Sequence, residues 1–388
     1  MSTKYRVGMI GYGFMGKIHS HAYRTVNHFF PDAPELEMAI ICGRNGEALE
    51  AARAQFGWLE AETDWNKVIA RADIDIIDIC TAGDAHKEIA IAALKAGKHV
   101  ICEKPLGNTL NDAQEMANAA VAAEKNGTRS MVAFNYRRVP ALAYAKAMIA
   151  DGKIGRIFHI RANYLQDWII DPEFPLVWRL DKTISGSGSL GDLGAHLIDA
   201  AFFLSDSKIT KVSGQLKTFI EKRPLPGSYT GLSASASSGR GKVTVDDTAV
   251  FNAQLENGAI ATFEATRFAA GRKNAMSIEI NGSNGSLYFN FESMNELLFH
   301  DHTEEAENSG FKRILVTEGT HPYMSAWWPA GHIIGYEHTF THEIYDFAKS
   351  IATNINPTPS FMDGLYVQKV LDAVEVSASK NSILVDIH

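Results

Sequence analysis

Residues 5–16 decide the fold: Tyr5-Arg-Val-Gly-Met-Ile10 runs directly into Gly11-Tyr-Gly13-Phe14-Met15-Gly16. The first six residues read as a short buried strand. The pattern Gly-x-Gly-x-x-Gly is weak by itself, but here it follows a strand and opens a helix expected from Gly16 to about Thr25. Gly11 permits the tight turn, Gly13 lets the backbone approach a pyrophosphate, and Gly16 lets the helix pack close to the strand. The helix start adds unpaired N–H groups and the positive end of its dipole. Phe14 and Met15 sit in the same loop. Such a cradle, inside a βαβ unit, suits a dinucleotide.

The same rhythm continues outward. Apolar runs at 36–42, 74–80, 99–102 and 131–135 alternate with helical patterns at 46–56, 86–96 and 111–125. Strands alternating with helices give right-handed βαβ units and a parallel sheet. Their unbroken hydrophobicity says that both sheet faces are covered. After about residue 140 the pattern changes. A helix, Pro140 to Ala150, precedes longer strands at 156–166, 209–220, 248–255, 259–268, 277–281 and 286–291. Asn257-Gly258 and Asn284-Gly285 stand between strand pairs as hairpin turns require. Helices are expected at 334–352 and 364–379, and the Gly- and Ser-rich stretch Pro224 to Lys242 reads as a long loop. The expected fold is α/β. Residues 1–135 form an N-terminal Rossmann parallel sheet. Residues 136–388 form a C-terminal α+β domain with a large, mostly antiparallel open sheet, for substrate binding and oligomerisation.

Composition narrows the function. The 388 residues carry 37 Lys plus Arg against 45 Asp plus Glu, a net charge of −8, and 46% of them are hydrophobic. A net-negative chain without a basic cluster is a poor partner for nucleic acid. No apolar stretch of the roughly 18 residues needed to span a bilayer is present, and the start lacks a signal peptide's apolar core. Cys42, Cys80 and Cys102 are odd in number and end buried strands. They read as reduced thiols of a cytoplasmic protein rather than a disulfide framework.

Where the second strand ends, an acidic residue would hold the ribose hydroxyls of NAD. Here the sequence is Cys42-Gly43-Arg44. Gly43 leaves room and Arg44 can pair with a 2′-phosphate, so NADP is slightly favoured and NAD stays open. Glu103-Lys104-Pro105 places a lysine at the carboxyl edge of the sheet, where such folds bind ligands. Further on, Gly186-Ser-Gly-Ser-Leu-Gly191 leads into Asp192-Leu-Gly-Ala-His196. On a helix, Asp192 and His196 would share one face. No further ligand by spacing joins Asp192, His196 and Asp199, so no metal is expected. Hydroxyl-binding groups mixed with aromatic rings suit a polyol site. Asn135, Tyr136, Arg137, Tyr164, Gln166, Asp167, Trp168, Trp178 and Arg179 offer that mixture, with Tyr336 and His338 as weaker candidates. His19 and His21 read as surface or cofactor-proximal.

Taken together, the glycine motif, Glu103-Lys104-Pro105, the Gly-rich run into Asp192-x-x-x-His196 and a late Phe361-Met-Asp-Gly364 resemble the Gfo/Idh/MocA family, the glucose–fructose oxidoreductases and inositol dehydrogenases. Tyr164-Leu-Gln-Asp-Trp168, with Asn135-Tyr-Arg-Arg138 upstream, looks like the branch of levoglucosan dehydrogenase and related sugar and cyclitol dehydrogenases. The resemblance covers nearly the whole chain. It implies an NAD(P)-dependent oxidoreductase acting on a secondary hydroxyl of a sugar, anhydrosugar or inositol, assembled as a homodimer or homotetramer. It assigns catalysis to Lys104, Asp192 and His196. One departure stands out: the family's Thr-Pro-Asn-x-x-His is here Thr81-Ala-Gly-Asp-Ala-His86, so only Thr81 and His86 carry over as cofactor neighbours, beside Glu103 and Lys104. In this reading His196 is the base, Lys104 polarises the oxygen and Asp192 orients, with Lys104 and His196 exchangeable. Two alternatives remain: a non-catalytic dinucleotide-binding regulator, and an NAD-dependent glycoside hydrolase on the same scaffold.

Overall fold

The structure, a computed structural model, describes residues 4–230 and 233–387. Its first unit begins with β1 (Lys4–Ile10), α1 (Phe14–Phe29), β2 (Glu35–Cys42), α2 (Gly46–Phe56), β3 (Glu60–Glu62), α3 (Trp65–Ala70), β4 (Ile76–Ile79), α4 (His86–Lys95), β5 (His99–Glu103), α5 (Leu110–Glu124) and β6 (Ser130–Ala133). Among the described residues these strands form one parallel sheet in the order β3-β2-β1-β4-β5-β6. The order reverses between β1 and β4, the switch point at which such sheets bind ligands. Val7, Met9, Ile41, Ile77, Val100 and Ile101 are fully buried in it. Local chemistry sets the helix ends. The Asn45 side chain accepts the Ala48 N–H to cap α2, which closes at Gly57 in the left-handed region.

The second unit holds α6 (Pro140–Ala150), β7 (Ile157–Leu165), α7 (Lys182–Ser185), α8 (Ala195–Ser205), β8 (Ile209–Lys217), β9 (Lys222–Thr230), β10 (Ser233–Lys242), β11 (Thr248–Leu255), β12 (Ile260–Thr266), β13 (Ala275–Gly282), β14 (Gly285–Asn290), β15 (Glu296–Asp301) and β16 (Lys312–Leu315). With a late strand, β17 (Val385–Asp386), nine described strands form one sheet in the order β16-β15-β14-β13-β7-β12-β11-β8-β17. It is mixed, because β7 and β12 run parallel while the other pairs are antiparallel. Alternation decides its faces. Ala249, Phe251, Ala253 and Leu255 are buried, whereas Val250, Asn252 and Gln254 are exposed. Phe251 stacks on Phe263 across the strand pair at 4.6 Å between ring centroids. The helix α8, buried along most of its length, packs on β7 and β13.

Two expectations are corrected. The stretch 224–242 is not a loop but most of the hairpin β9–β10, with Arg223 opposite Gly241 and Ala234 opposite Tyr229. Its residues 231–232 lie outside the described residues. Pro224 and Pro226 are tolerated because this ladder is irregular and two-stranded, so each strand is an edge. The second correction concerns the boundary. The two compact units are residues up to Asn135 with Tyr336–Gln368, and Tyr136–Gly335 with Lys369 onward. The expected 136–388 domain therefore loses an internal segment to the first unit. That segment carries α9 (Tyr336–Thr353) and the start of α10 (Phe361–Ser379). In it, α9 covers α1. Phe30 stacks on Tyr345 at 4.3 Å, and the Tyr345 hydroxyl and Lys349 Nζ reach the Asp32 carboxylate at 2.8 and 2.9 Å. Beyond α9, Pro359 accepts the Val132 N–H at 3.0 Å, satisfying an edge donor of β6. No helix among the described residues is long and apolar enough to cross a membrane.

Candidate active site

The first unit's site begins at the cradle after β1. Gly11 has φ +106°, a conformation that favours glycine. A Cβ on Gly16 would lie 2.2 Å from the Gly11 carbonyl oxygen, so close packing of helix on strand demands the missing side chain. Gly13 caps α1 without any side-chain hydrogen bond, and the place of its Cβ is open space. Phe14 is exposed and Met15 half-buried. Open backbone and unpaired helix-start N–H groups fit a pyrophosphate. At the end of β2 the expectation for Gly43 is corrected. The Tyr12 ring packs where its side chain would be, with an atom 2.1 Å from the ideal Cβ position, so Gly43 makes room for Tyr12. Arg44 is exposed and has no ion-pair partner among the described residues.

Below the cradle lies a buried cluster around His19, one of the two histidines read as surface or cofactor-proximal. His19 is fully buried rather than at the surface, while His21 is exposed. The His19 Nδ1 is 2.8 Å from Asp78 Oδ2 and its Nε2 is 3.0 Å from Glu103 Oε1. Burial opposes charge on this ring, yet Asp78 and Cys80 draw its pKa well above the ordinary imidazole value. Glu103 is therefore engaged from inside. Its other oxygen accepts the Lys104 main-chain N–H at 3.1 Å. Glu103 thus fixes the backbone from which Lys104 departs, with both carboxylate oxygens bonded to protein groups. His86 is also buried, and its ring nitrogens lie 3.1 Å from the carbonyl oxygens of Thr81 and Pro105. It braces the Thr81 loop against the loop that carries Lys104. Asn135 donates to Thr339 Oγ1 at 2.9 Å, and Tyr336 packs edge-on against Phe340. Both belong to the first unit.

In the second unit the structure gathers most of the polar and aromatic candidates. Trp168 Nε1 donates to Gln166 Oε1 at 2.9 Å. Gln166 Nε2 and the Tyr164 hydroxyl both donate to Asn274 Oδ1, at 2.8 and 2.7 Å. The Tyr136 hydroxyl lies 2.5 Å from that of Tyr164. Because Tyr164 gives its proton to an amide oxygen, Tyr136 must be the donor of that pair. Burial pushes the Tyr136 phenol up to about 12, which keeps it a donor. The His196 ring is buried, 4.6 Å from the Tyr136 centroid and 5.9 Å from that of Tyr164. Asp167 is turned to the outside, bonded to Lys273 Nζ at 2.7 Å and the Gly271 N–H at 3.1 Å, with Lys273 holding its carboxyl low. The Arg179 guanidinium lies 4.2 Å over the Trp178 ring. Asp199 is engaged by Arg137 through three close contacts of 2.6–3.1 Å.

Asp192 and His196 do not share a regular helix face. Residues 190–194 form a π turn ahead of α8, in which the Ala195 N–H reaches back five residues to the Leu190 carbonyl. Such turns cluster at functional sites. Asp246 builds this one: its carboxylate accepts from the Gly188 N–H at 2.7 Å, Ser189 Oγ at 2.6 Å and the Leu190 N–H at 2.8 Å. A Cβ on Gly188 would lie 1.8 Å from the Asp246 carbonyl oxygen. Asp192 then meets Arg267 Nη2 at 2.8 Å. Sequence reasoning missed Asn274, Asp246 and Arg267. Arg267 alone left a trace, as a charge directly after the alternating strand β12.

Known proteins match both parts of the chain. A model described as an oxidoreductase family with an NAD-binding Rossmann fold matches residues 5–134, and a GFO/IDH/MocA C-terminal domain matches residues 142–288. Levoglucosan dehydrogenase of Pseudarthrobacter phenanthrenivorans is 43% identical over 381 residues, covering 97% of this chain and 96% of that one. An oxidoreductase domain protein from Kribbella flavida superposes over the whole of both chains with TM-score 0.95 at 54% identity. A levoglucosan dehydrogenase solved with NADH and levoglucosan does so at TM-score 0.93 and 42% identity. Fold and matches define an oxidoreductase with an NAD-binding domain. The chain belongs to the GFO/IDH/MocA family.

Proposed function

We propose that this protein is a dehydrogenase that oxidises a secondary hydroxyl of a sugar, anhydrosugar or inositol with NAD(P). The observation that carries the reading is the set of hydrogen bonds that converges on the Asn274 amide oxygen, from Trp168 through Gln166 on one side and from Tyr136 through Tyr164 on the other, beside His196. Such a row of fixed amide and hydroxyl groups discriminates hydroxylated ligands, because a poorly matched one leaves buried polar atoms unpaired. The relative that is 43% identical is named for levoglucosan, which makes that anhydrosugar the first compound to test.

Bound NAD(P) supplies the hydride acceptor. The residues supply the proton chemistry. A ring nitrogen of His196 accepts the hydroxyl proton as hydride leaves carbon. Lys104 Nζ donates a hydrogen bond to the developing alkoxide. The Asp192 carboxylate accepts from a neighbouring hydroxyl and orients the carbinol. The open backbone at Gly13 and the start of α1, shaped by Gly11 and Gly16, would hold the pyrophosphate. The levoglucosan dehydrogenase relative was solved with NADH, and the exposed Arg44 adds a partner for a 2′-phosphate. The protein is therefore expected to use both cofactors, and Arg44→Ala to lower turnover with NADP alone.

The three cysteines are buried free thiols, and burial pushes Cys42 up to about 12, as suits a reducing cytoplasm. The open face of the nine-stranded sheet, with Val250 and Ile260 exposed, is the proposed contact of a homo-oligomer. Light scattering of the purified protein checks that contact.

The decisive test is a screen of anhydrosugars, pyranoses and cyclitols against NAD and NADP, read as free reduced nicotinamide. Turnover of at least one supports the reading, and failure of all with both cofactors sinks it. Release of a hydrolysed glycoside without free reduced cofactor would mark a hydrolase instead. In the same assay, His196→Ala and Lys104→Ala should each lose roughly 10²–10⁴-fold in kcat. Near-wild-type kcat in both at every pH would refute the assigned roles.

A further inference from the structure

The buried guanidinium of Arg267 is a large cation of the second unit's cluster to which the chemistry above gives no task. It follows β12, is 1% exposed, and its main-chain N–H is held by the Asp247 carbonyl oxygen at 3.1 Å. Its Nη2 donates to Asp192 Oδ2 at 2.8 Å and reaches the Gly188 carbonyl at 3.4 Å, while Nη1 lies 3.5 Å from the Arg179 carbonyl. Its Cζ stands 5.2 Å from the centroid of the Trp168 ring, a cation–π contact. One side chain therefore touches four separate stretches: the exit of β7, the turn at residues 178–180, the Gly-rich run and the π turn.

Burying a guanidinium is costly unless it is paired and hydrogen-bonded. A scaffold role would be met by the two carbonyls, which are long contacts here. The short contact is to a carboxylate, and that carboxylate is unlike its partner in exposure: Asp192 is 29% exposed against 1% for Arg267. The pair is thus buried at one end and open at the other. Charge-assisted bonds of this kind fix direction as well as distance. A lysine could match the charge but not the planar fork that bonds the carboxylate in a fixed direction.

We propose that Arg267 is a positioning residue for the oxidation. It holds the Asp192 carboxylate in one direction, so that a hydroxyl acceptor is presented to the substrate already aimed. This rests on the reading that Asp192 meets the substrate, and it adds a residue to which neither motif nor resemblance assigned a role.

A double-mutant cycle on the full-length protein tests it, using the polyol turned over fastest and saturating NAD. Arg267→Lys should lower kcat/KM for the polyol roughly tenfold or more, while the KM for NAD stays within about twofold. Asp192→Asn should lower it as well. Because Arg267 acts through Asp192, the double variant should be no more than about threefold worse than Asp192→Asn alone. Losses that multiply, or Arg267→Lys at wild-type kcat/KM, overturn the role. Arg267→Gln is the second variant, and failure of both to fold assigns the residue to the scaffold and overturns it too. Wild-type protein that oxidises no polyol would sink the functional reading instead, so the two failures are distinguishable.

Discussion

His19 is held between two buried carboxylates, and that makes its charge a stability term. Its folded pKa is raised, so the stabilisation is fully present below the ordinary imidazole value of about 6.5 and is lost as pH rises through the elevated folded value. His19→Gln should cost about 3–5 kcal/mol near pH 6, because Asp78 and Glu103 are left buried without their cation. The gap between variant and wild type should narrow as pH rises, measured by urea unfolding. A gap independent of pH would mean a neutral ring. At this scale the sequence discloses residues whose meaning is local. The three glycines and Lys104 stand in short motifs, and their chemistry follows from spacing. It conceals residues whose partners are remote. Arg267 is 75 positions from Asp192, and Asn274 is 110 from Tyr164. Nothing in the composition around Asn274 marks it as the acceptor of two site residues.

Between α7 and α8 the determining element is the π turn at residues 190–194, which sets where Asp192 and His196 point. Asp246 holds it through three donors, two of them main-chain. Asp246→Ala would orphan all three in a buried place, at about 1–3 kcal/mol each. The expected outcome is a lower Tm together with a fall in kcat, since the turn carries Asp192. An unchanged Tm would show that water replaces the carboxylate and that the turn is not built by Asp246. Element types were legible where periodicity was strong, as in β11, found at its expected limits of 248–255. The π turn was not, because a helical spacing of four says nothing about one residue of extra pitch. The hairpin β9–β10 escaped for a different reason. Its Ser, Gly and Pro residues form a ladder through the backbone, with no apolar face to mark it.

Across the whole chain, the first unit is not a contiguous stretch. Residues 336–368 return to it, where α9 covers α1 and Pro359 satisfies β6. A fragment ending at residue 135 contains the full parallel sheet but leaves Phe30, and the face of α1 that α9 covers, in water. It is expected to be poorly folded and to bind NAD far more weakly than the full chain, measured by circular dichroism and calorimetric titration. A stable fragment with undiminished affinity would show that the returning segment is dispensable. The sequence marked where the first unit is left, because strand rhythm changes there. It did not mark the return, because α9 is amphipathic in a way that suits either unit. The central claim concerns hydride, and isotope transfer addresses it most directly. The polyol turned over fastest is deuterated at its secondary carbons, and the reduced cofactor is weighed by mass spectrometry after turnover. Reduced nicotinamide carrying one deuterium, with an equal amount of ketone formed, is the predicted result. Unlabelled reduced cofactor, or product without any reduced cofactor, would contradict it.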